Sequence, residues 1–172
     1  CPLSTVKVLL CDGARSIWTY LDENARYKDY EKLVDYWHTL EHLSRAAEAL
    51  FGKGSPEAEA WYKKHAKRLK EKTRGAQGIL ESIDYYTRIR KLSAKRQLEL
   101  NTERTFFARN KHRMTYADFR QRGLPIGSGP VEAACKSIVK TRLCRSGMRW
   151  SRAGGQRILD LRTYVKSNRW DA

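Results

Sequence analysis

Three observations predict an α/β fold that is dominated by helices. A stretch of β-branched and apolar residues, from Ser4 to Cys11, is typical of a buried strand, and a second short strand is predicted from Lys32 to His38. From Thr39 onward the apolar residues recur with helical spacing. A turn rich in glycine and proline then leads into a late helix. This order indicates a small α/β core that carries a large helical insertion.

We divide the chain where these patterns change. Residues 1–38 are predicted to hold the strands of the core, residues 39–115 a helical insertion subdomain, and residues 116–172 the core helices and a basic tail. In open α/β sheets functional groups gather at the carboxyl ends of strands. Asp12 stands at such an end, so it is a candidate site residue, with a turn-forming role as the alternative.

The insertion is predicted to contain several helices with clear boundaries. The first runs from Thr39 to Gly52, and Ser55 followed by proline starts the next. Gly75 and Gly78 are predicted to break the helical pattern, and further helices follow to about Asn110. The lysines and arginines of residues 63–74 are expected to form a solvated face, with DNA contact as the alternative.

The stretch from Leu124 to Lys136 is the most informative of the sequence. Glycine, serine and proline form a turn there, and Pro130 is suited to the first position of a helix. Glu132 then falls in the first helical turn, where the helix dipole favours a negative charge. Ordinary helix capping is the simpler explanation of this glutamate, and a metal ligand is the alternative.

The last predicted helix begins at Ser151. Its apolar positions are expected to face inward, and its basic positions outward. The inward set is Gly154, Ile158, Leu161 and Val165. The outward set is Arg157, Arg162, Lys166 and Arg169.

The chain is strongly and unevenly basic. Its net charge is +16, and residues 133–172 hold ten Lys and Arg against two acids, whereas residues 1–35 hold five against six. A basic segment beside a slightly acidic one is typical of a nucleic-acid-binding protein with a carboxylate site. The residues predicted to contact DNA are Lys136, Lys140, Arg142, Arg145, Arg149, Trp150 and Arg157.

Other classes of protein receive little support. No apolar run approaches the length of a membrane span, so we expect no membrane partner. The four cysteines show no C-x-x-C spacing, which argues against a zinc site or a disulfide framework and fits a reducing cytoplasm.

Two acids that are distant in sequence, Asp12 and Glu132, can meet at the edge of an α/β layer. Oxygen ligands suit Mg²⁺ or Mn²⁺, and a pair of such ions supports phosphodiester chemistry. A third acid is normally needed for two ions. Asp35 is the remaining acid at a strand end, either as that third ligand or as a supporting residue together with His38.

Three motifs occur in an order that resembles a known family. They are Leu10-Cys-Asp-Gly-Ala14, Asp35-Tyr-Trp-His-Thr-Leu-Glu-His42 and the turn that ends in Glu132, followed by Arg145-Ser-Gly-Met-Arg-Trp150. Together they resemble bacterial insertion-sequence transposases of the Kra type, which are DDE enzymes of the RNase H-like class. The resemblance covers nearly the whole chain.

The resemblance implies an incomplete RNase H-like core, with Asp12 as the second acid of the triad and Glu132 as the third. Asp35 and His38 match an element that follows the second acid in Mutator-like relatives. It also implies Mg²⁺ or Mn²⁺ as cofactor, transposon-end and target DNA as partners, a homo-oligomer as the working form, and a bacterial cytoplasm with nucleoid association. In this family the first acid lies well upstream of the second, so we expect this chain alone to bind metal weakly and to be inactive.

A second hypothesis comes from a different functional class. The chain could be a non-catalytic basic module that binds DNA through its charge, with an affinity that falls steeply as salt rises. Metal dependence separates the two hypotheses, because a pure binding module has no use for Mn²⁺.

Overall fold

The computed structural model describes residues 6–167, apart from the side chains of residues 130 and 131. It is 71% helical and 5% strand. The strands are β1 (Val8–Cys11) and β2 (Glu31–Val34). The helices are α1 (Arg15–Glu23), α2 (Tyr36–Phe51), α3 (Pro56–Glu71), α4 (Gly75–Ile89), α5 (Ala94–Asn110), α6 (Tyr116–Gln121), α7 (Gly129–Ala134), α8 (Thr141–Leu143) and α9 (Arg152–Lys166), with a π-helical segment at Cys135–Lys140. The predicted predominance of helix is therefore confirmed.

The two strands are parallel neighbours joined by α1. Val8 pairs with Glu31 and Cys11 with Val34, so the carboxyl ends of both strands lie at one edge of the sheet. A parallel pair needs a crossover connection, and α1 with its short 3₁₀ turn supplies it. The first predicted strand is confirmed over Val8–Cys11, while its first two residues lie outside the described part of the chain.

The second strand is shorter than predicted. It ends at Val34, and α2 begins at Tyr36 rather than at Thr39. The reason is local, because Asp35 caps α2 and its Oδ1 accepts a hydrogen bond from the backbone N–H of His38 at 3.0 Å. Asp35 and His38 therefore lie at the start of a helix, not within a strand.

The helices from α2 to α6 enclose the main core of the protein. Buried side chains on α2, such as Leu43 and Leu50, pack together with Ile79 of α4 and Leu100 of α5. The confirmed helix start at Ser55 follows the predicted chemistry, since its Oγ accepts from the N–H of Ala58 at 3.1 Å. Burial of one apolar face per helix is what holds this block together.

A buried tyrosine closes the helical block on the sheet. The hydroxyl of Tyr116 donates to the carbonyl of Val34 at 3.0 Å and lies 2.7 Å from Oγ1 of Thr39. Tyr116 is fully buried, and this burial raises the pKa of its hydroxyl. The first and last helices of the block are thus joined beside β2.

The prediction that Gly75 and Gly78 break the helical pattern was wrong for Gly78, whereas the break itself is present at residues 72–74, directly before Gly75. Both glycines lie inside α4, in its first two turns, and both are buried. A Cβ atom at Gly75 would lie 2.7 Å from the Cα of Leu69, and one at Gly78 would lie 2.2 Å from Cζ of Arg68. The glycines are there because α3 approaches α4 closely, which outweighs their low helix propensity.

The chain forms two compact units, the first ending at Ser128 and the second beginning at Gly129. The predicted segments 1–38 and 39–115 both belong to the first unit, and the predicted segment 116–172 contributes to each unit. In the second unit, α9 packs against the π-helical segment, where the guanidinium of Arg162 donates to the carbonyls of Ile138 and Ser137.

The last helix, α9, starts where it was predicted to start, but a different side of it is buried. Oγ of Ser151 accepts from the N–H of Gly154 at 3.1 Å, which confirms the cap. Leu161 and Val165, predicted to face inward, are 45% and 52% exposed, whereas Arg162, predicted to face outward, is half-buried. The inward side of α9 is therefore rotated toward Arg162. Arg169 lies outside the described residues.

Over residues 6–167, no helix combines the length and the apolar composition needed to cross a membrane.

The buried histidine of α3 gives the fold a predictable response to acid. His65 is 1% exposed, and neither of its ring nitrogens has a hydrogen-bond partner among the described residues. Burial, followed by the positive charges of Lys64 and Arg68, lowers its pKa from 6.5 to about 4. The folded state thus resists protonation that the unfolded chain accepts.

We expect this histidine to make folding stability fall with pH. Above pH 6.5 the histidine is neutral in both states and does not reduce the free energy of unfolding. As the pH falls from 6.5 toward 4, the unfolded chain takes up a proton first, and the free energy of unfolding falls by roughly 3 kcal/mol for a pKa shift of this size. In the variant His65→Phe, the free energy of unfolding measured with urea should change less with pH between 6.5 and 4. His38→Gln, at a half-buried histidine of α2, is the control, and an unchanged pH profile for His65→Phe would contradict the prediction.

Candidate functional site

The carboxylate of Asp12 stands directly after β1, at the carboxyl edge of the sheet. It is exposed, and its Oδ1 accepts the backbone N–H of Ala14 at 2.9 Å, which orders the turn into α1. The next residue has no room for a side chain, because a Cβ at Gly13 would lie 2.1 Å from the ring of Phe106 on α5. The position of Asp12 therefore depends on close packing between the sheet edge and the helical block.

Asp35 follows β2 at the same edge, and it is buried. Its Oδ1 accepts the N–H of His38, and its Oδ2 accepts the N–H of Ser128. A further backbone bond runs from Tyr36 N–H to the carbonyl of Ile126 at 2.9 Å. Asp35 therefore fixes the start of the predicted glycine–serine turn to the sheet edge, and both of its oxygens are engaged in that task.

His38 faces a second histidine, His42, which lies one helical turn later on α2. The rings of His38 and His42 are 4.9 Å apart, and Nδ1 of His42 lies 2.5 Å from Oε2 of Glu103. Glu103 is buried, and its other oxygen accepts from Nε of Arg45 at 3.0 Å. The spacing of four residues between the histidines was the available signal, but Glu103 lies too far along the chain to be linked with them.

These residues open onto one pocket of the first unit. It has a volume of about 600 Å³ and is lined by Asp12, Gly13, Ala14, His38, His42, Leu98, Asn101, Thr102, Thr105, Phe106 and Arg109. The structure thus brings two of the predicted site residues, Asp12 and His38, to one surface. Arg109, which sequence reasoning missed, donates to the carbonyl of Gly13 at 3.1 Å and adds a positive charge at the rim.

Glu132 lies in the first turn of α7, in the second unit, and its side chain is exposed. The same unit carries every residue predicted to contact DNA, and all of them are exposed: Lys136, Lys140, Arg142, Arg145, Arg149, Trp150 and Arg157. This is the arrangement that a surface for binding phosphate groups requires, because each cation can reach solvent.

An apolar groove accompanies these cations within the second unit. Its volume is about 380 Å³, and it is lined by Arg142, Met148, Trp150, Ile158, Leu161, Arg162, Val165 and Lys166. Trp150 is 44% exposed there, so its ring is accessible between basic side chains. The outward position of Leu161 and Val165 is what creates the groove.

The fit of a divalent metal ion can be judged from the carboxylates. Asp12 offers oxygen atoms of the kind that Mg²⁺ prefers, and among the described residues a single hydrogen bond occupies its carboxylate. Asp35 is committed to two backbone amides. Over residues 6–167 no group of three or more His, Cys, Asp or Glu is arranged to hold a metal ion. The first unit therefore supplies one suitable carboxylate, that of Asp12.

Comparison of the chain with protein-family models, curated proteins and solved structures gives no match.

The double role of Asp35 predicts a specific loss of stability. Asp35→Ala removes the cap of α2 and leaves the N–H of Ser128 unpaired, so unfolding free energy should fall by about 2–3 kcal/mol. Asp35→Asn keeps one acceptor and should cost less. The exposed Asp12, replaced with Ala, is the matched control, with an expected change of about 0.5 kcal/mol or less. Urea denaturation measures all three, and equal losses for Asp35→Ala and Asp12→Ala would refute this role.

Proposed function

We propose that the chain belongs to a DDE-type transposase, which cleaves and joins DNA strands, and that its sheet is part of an RNase H-like core. One observation carries the proposal. Asp12 and Asp35 follow two parallel strands at one edge, and Asp35 binds the turn that leads along the chain to Glu132. These residues belong, in chain order, to the three sequence motifs on which the family resemblance depends.

The residues take distinct roles under this proposal. By the family resemblance, Asp12 and Glu132 are the carboxylates that would hold Mg²⁺ or Mn²⁺, and such ions would activate an oxygen nucleophile and stabilise the leaving oxygen. Asp35 positions the turn before Glu132 through the N–H of Ser128, rather than binding metal. His38 lines the pocket beside Asp12, where its imidazole can orient a water molecule or accept a proton.

The second unit supplies the DNA contacts. Its seven predicted contact residues are exposed, and the segment from residue 133 onward has a net charge of +8. Such a surface binds phosphates with little dependence on base sequence. The transposon ends and the target DNA are the proposed partners, and a homo-oligomer in a bacterial cytoplasm is the proposed working form.

A non-catalytic DNA-binding module is the competing function. The observation in its favour is that the described residues contain no group of three metal-binding side chains, whereas the exposed cations of the second unit are fully present. In this case Asp12 would serve only the turn before α1, and Glu132 only the first turn of α7.

Thermal unfolding with Mn²⁺ separates the two functions. If the chain is part of a transposase, we expect Mn²⁺ to raise the melting temperature. At a Mn²⁺ concentration one hundred times its Kd, the free energy of unfolding should rise by about 2.7 kcal/mol. Glu132→Gln and Asp12→Asn should each abolish most of that gain. The controls are the exposed Asp160→Asn in the second unit and Asp29→Asn in the first, which should keep it.

A gain that survives both Glu132→Gln and Asp12→Asn would place the metal elsewhere and reject the proposed site. No gain for the unmodified chain, combined with salt-sensitive DNA binding, would favour the non-catalytic module.

A further inference from the structure

A cationic surface of the first unit covers the corner between α3 and α4, and none of the roles above uses it. Five basic side chains line an open pocket of about 500 Å³ there together with Glu71 and Thr73: Lys64, Lys67, Arg68, Lys72 and Arg74. We name this surface the α3–α4 patch. Every one of these side chains is exposed, so a partner from solution can reach them.

The charges of the α3–α4 patch are not neutralised by other described residues. Arg74 reaches Glu81 only at 3.9 Å, and no salt bridge joins any of the other four cations to a carboxylate. Some basic side chains elsewhere in this unit are paired, as Arg104 is with Asp84 at 2.6 Å. Like charges held together raise the energy of the folded chain, and a bound anion lowers it again.

One cation of the patch lies directly against the backbone of α4. A Cβ at Gly78 would lie 2.2 Å from Cζ and 2.3 Å from Nε of Arg68, so the guanidinium occupies the space that a side chain at position 78 would need. A guanidinium offers two parallel donors to a phosphate. The absence of a side chain at position 78 therefore lets Arg68 lie at this corner of the patch.

The positive charge of the patch affects the buried His65, which lies next to it on α3. After burial, the charges of Lys64 and Arg68 are the next causes that lower the pKa of His65. This agrees with the positions of Lys64 and Arg68 on the side of α3 next to His65.

The shape of the patch indicates its ligand. Lys64 and Lys72 are eight residues apart on α3 and its C-cap, which is roughly 12 Å along a helix axis. Over that length one strand of a DNA duplex presents roughly three or four phosphates. Apolar and aromatic side chains are missing from the described lining, so neither membrane insertion nor base stacking is favoured.

We propose that the α3–α4 patch binds the phosphate backbone of nucleic acid, as a contact separate from the basic residues of the second unit. It contacts phosphates rather than base edges, so it should add affinity without sequence preference. This contact does not depend on metal binding by Asp12 and Glu132.

The test measures binding of the whole chain to a fluorescent DNA duplex at several NaCl concentrations, in EDTA. The variant Lys64→Gln/Lys67→Gln/Lys72→Gln should bind at least tenfold more weakly at low salt. Its slope of log K against log salt should be shallower by roughly 2–3, since each lost phosphate contact removes about 0.9. The matched control, Lys7→Gln/Lys28→Gln/Lys91→Gln, loses the same charge at scattered exposed positions and should keep the slope.

A second variant tests whether the position of the Arg68 guanidinium beside Gly78 matters for DNA binding, without changing the net charge of the chain. Gly78→Ala should fold, because the atoms that must move belong to the end of a flexible side chain, and its slope should become shallower by about 1. Circular dichroism confirms the fold. An unchanged slope would overturn the role given to Arg68.

Three outcomes would overturn the proposal as a whole. The first is an equal effect of the patch triple variant and the control triple variant. The second is equal competition by poly-glutamate and unlabelled duplex at matched charge, which would indicate an acidic protein partner. The third is saturable binding of inorganic phosphate at the duplex affinity, which would indicate a small anion as the ligand.

Discussion

The hydrogen bonds of one buried carboxylate hold the candidate site together. Asp35 ends β2, caps α2 and binds the N–H of Ser128, so three segments meet at its two oxygens. A carboxylate buried to this degree is tolerated only because two amides satisfy it. The sheet edge, the first helix of the block and the glycine–serine turn therefore share one anchor, and strand register together with the packing of Gly13 on Phe106 places Asp12 at that same edge.

A second buried carboxylate organises the helical block in a similar manner. Glu103 joins α5 to α2 through His42 and Arg45, and the carbonyls near the end of α2 receive Arg90 and Arg96 from the chain beyond it. The arginines complement the negative end of the α2 dipole. Both ends of α2 are thus fixed by side chains from other elements, which explains how a long helix beside the candidate site keeps a defined position.

Local chemistry made most of the elements predictable, and long-range packing explains the failures. The cap at Ser55, the strand before Asp12 and the helix after Ser151 follow from short sequence signals. Gly78 was misread because its partner, Arg68, lies ten positions away on another helix, and periodicity within one helix does not report such an approach. Within the site, Asp12 and His38 were each predicted to be site residues, but the pairing of His42 with Glu103 spans 61 residues and leaves no local trace.

The hydroxyl contact between Tyr116 and Thr39 has an evolutionary consequence. It joins residues 77 positions apart, and the same hydroxyl binds the last residue of β2. Because the helical excursion closes on itself beside the sheet, the parts of it that do not pack on the strand edge, unlike Phe106 of α5, can be lengthened or shortened while that edge stays in register. Descendants of this chain could thus diversify their outer helices and still inherit an unaltered carboxylate edge.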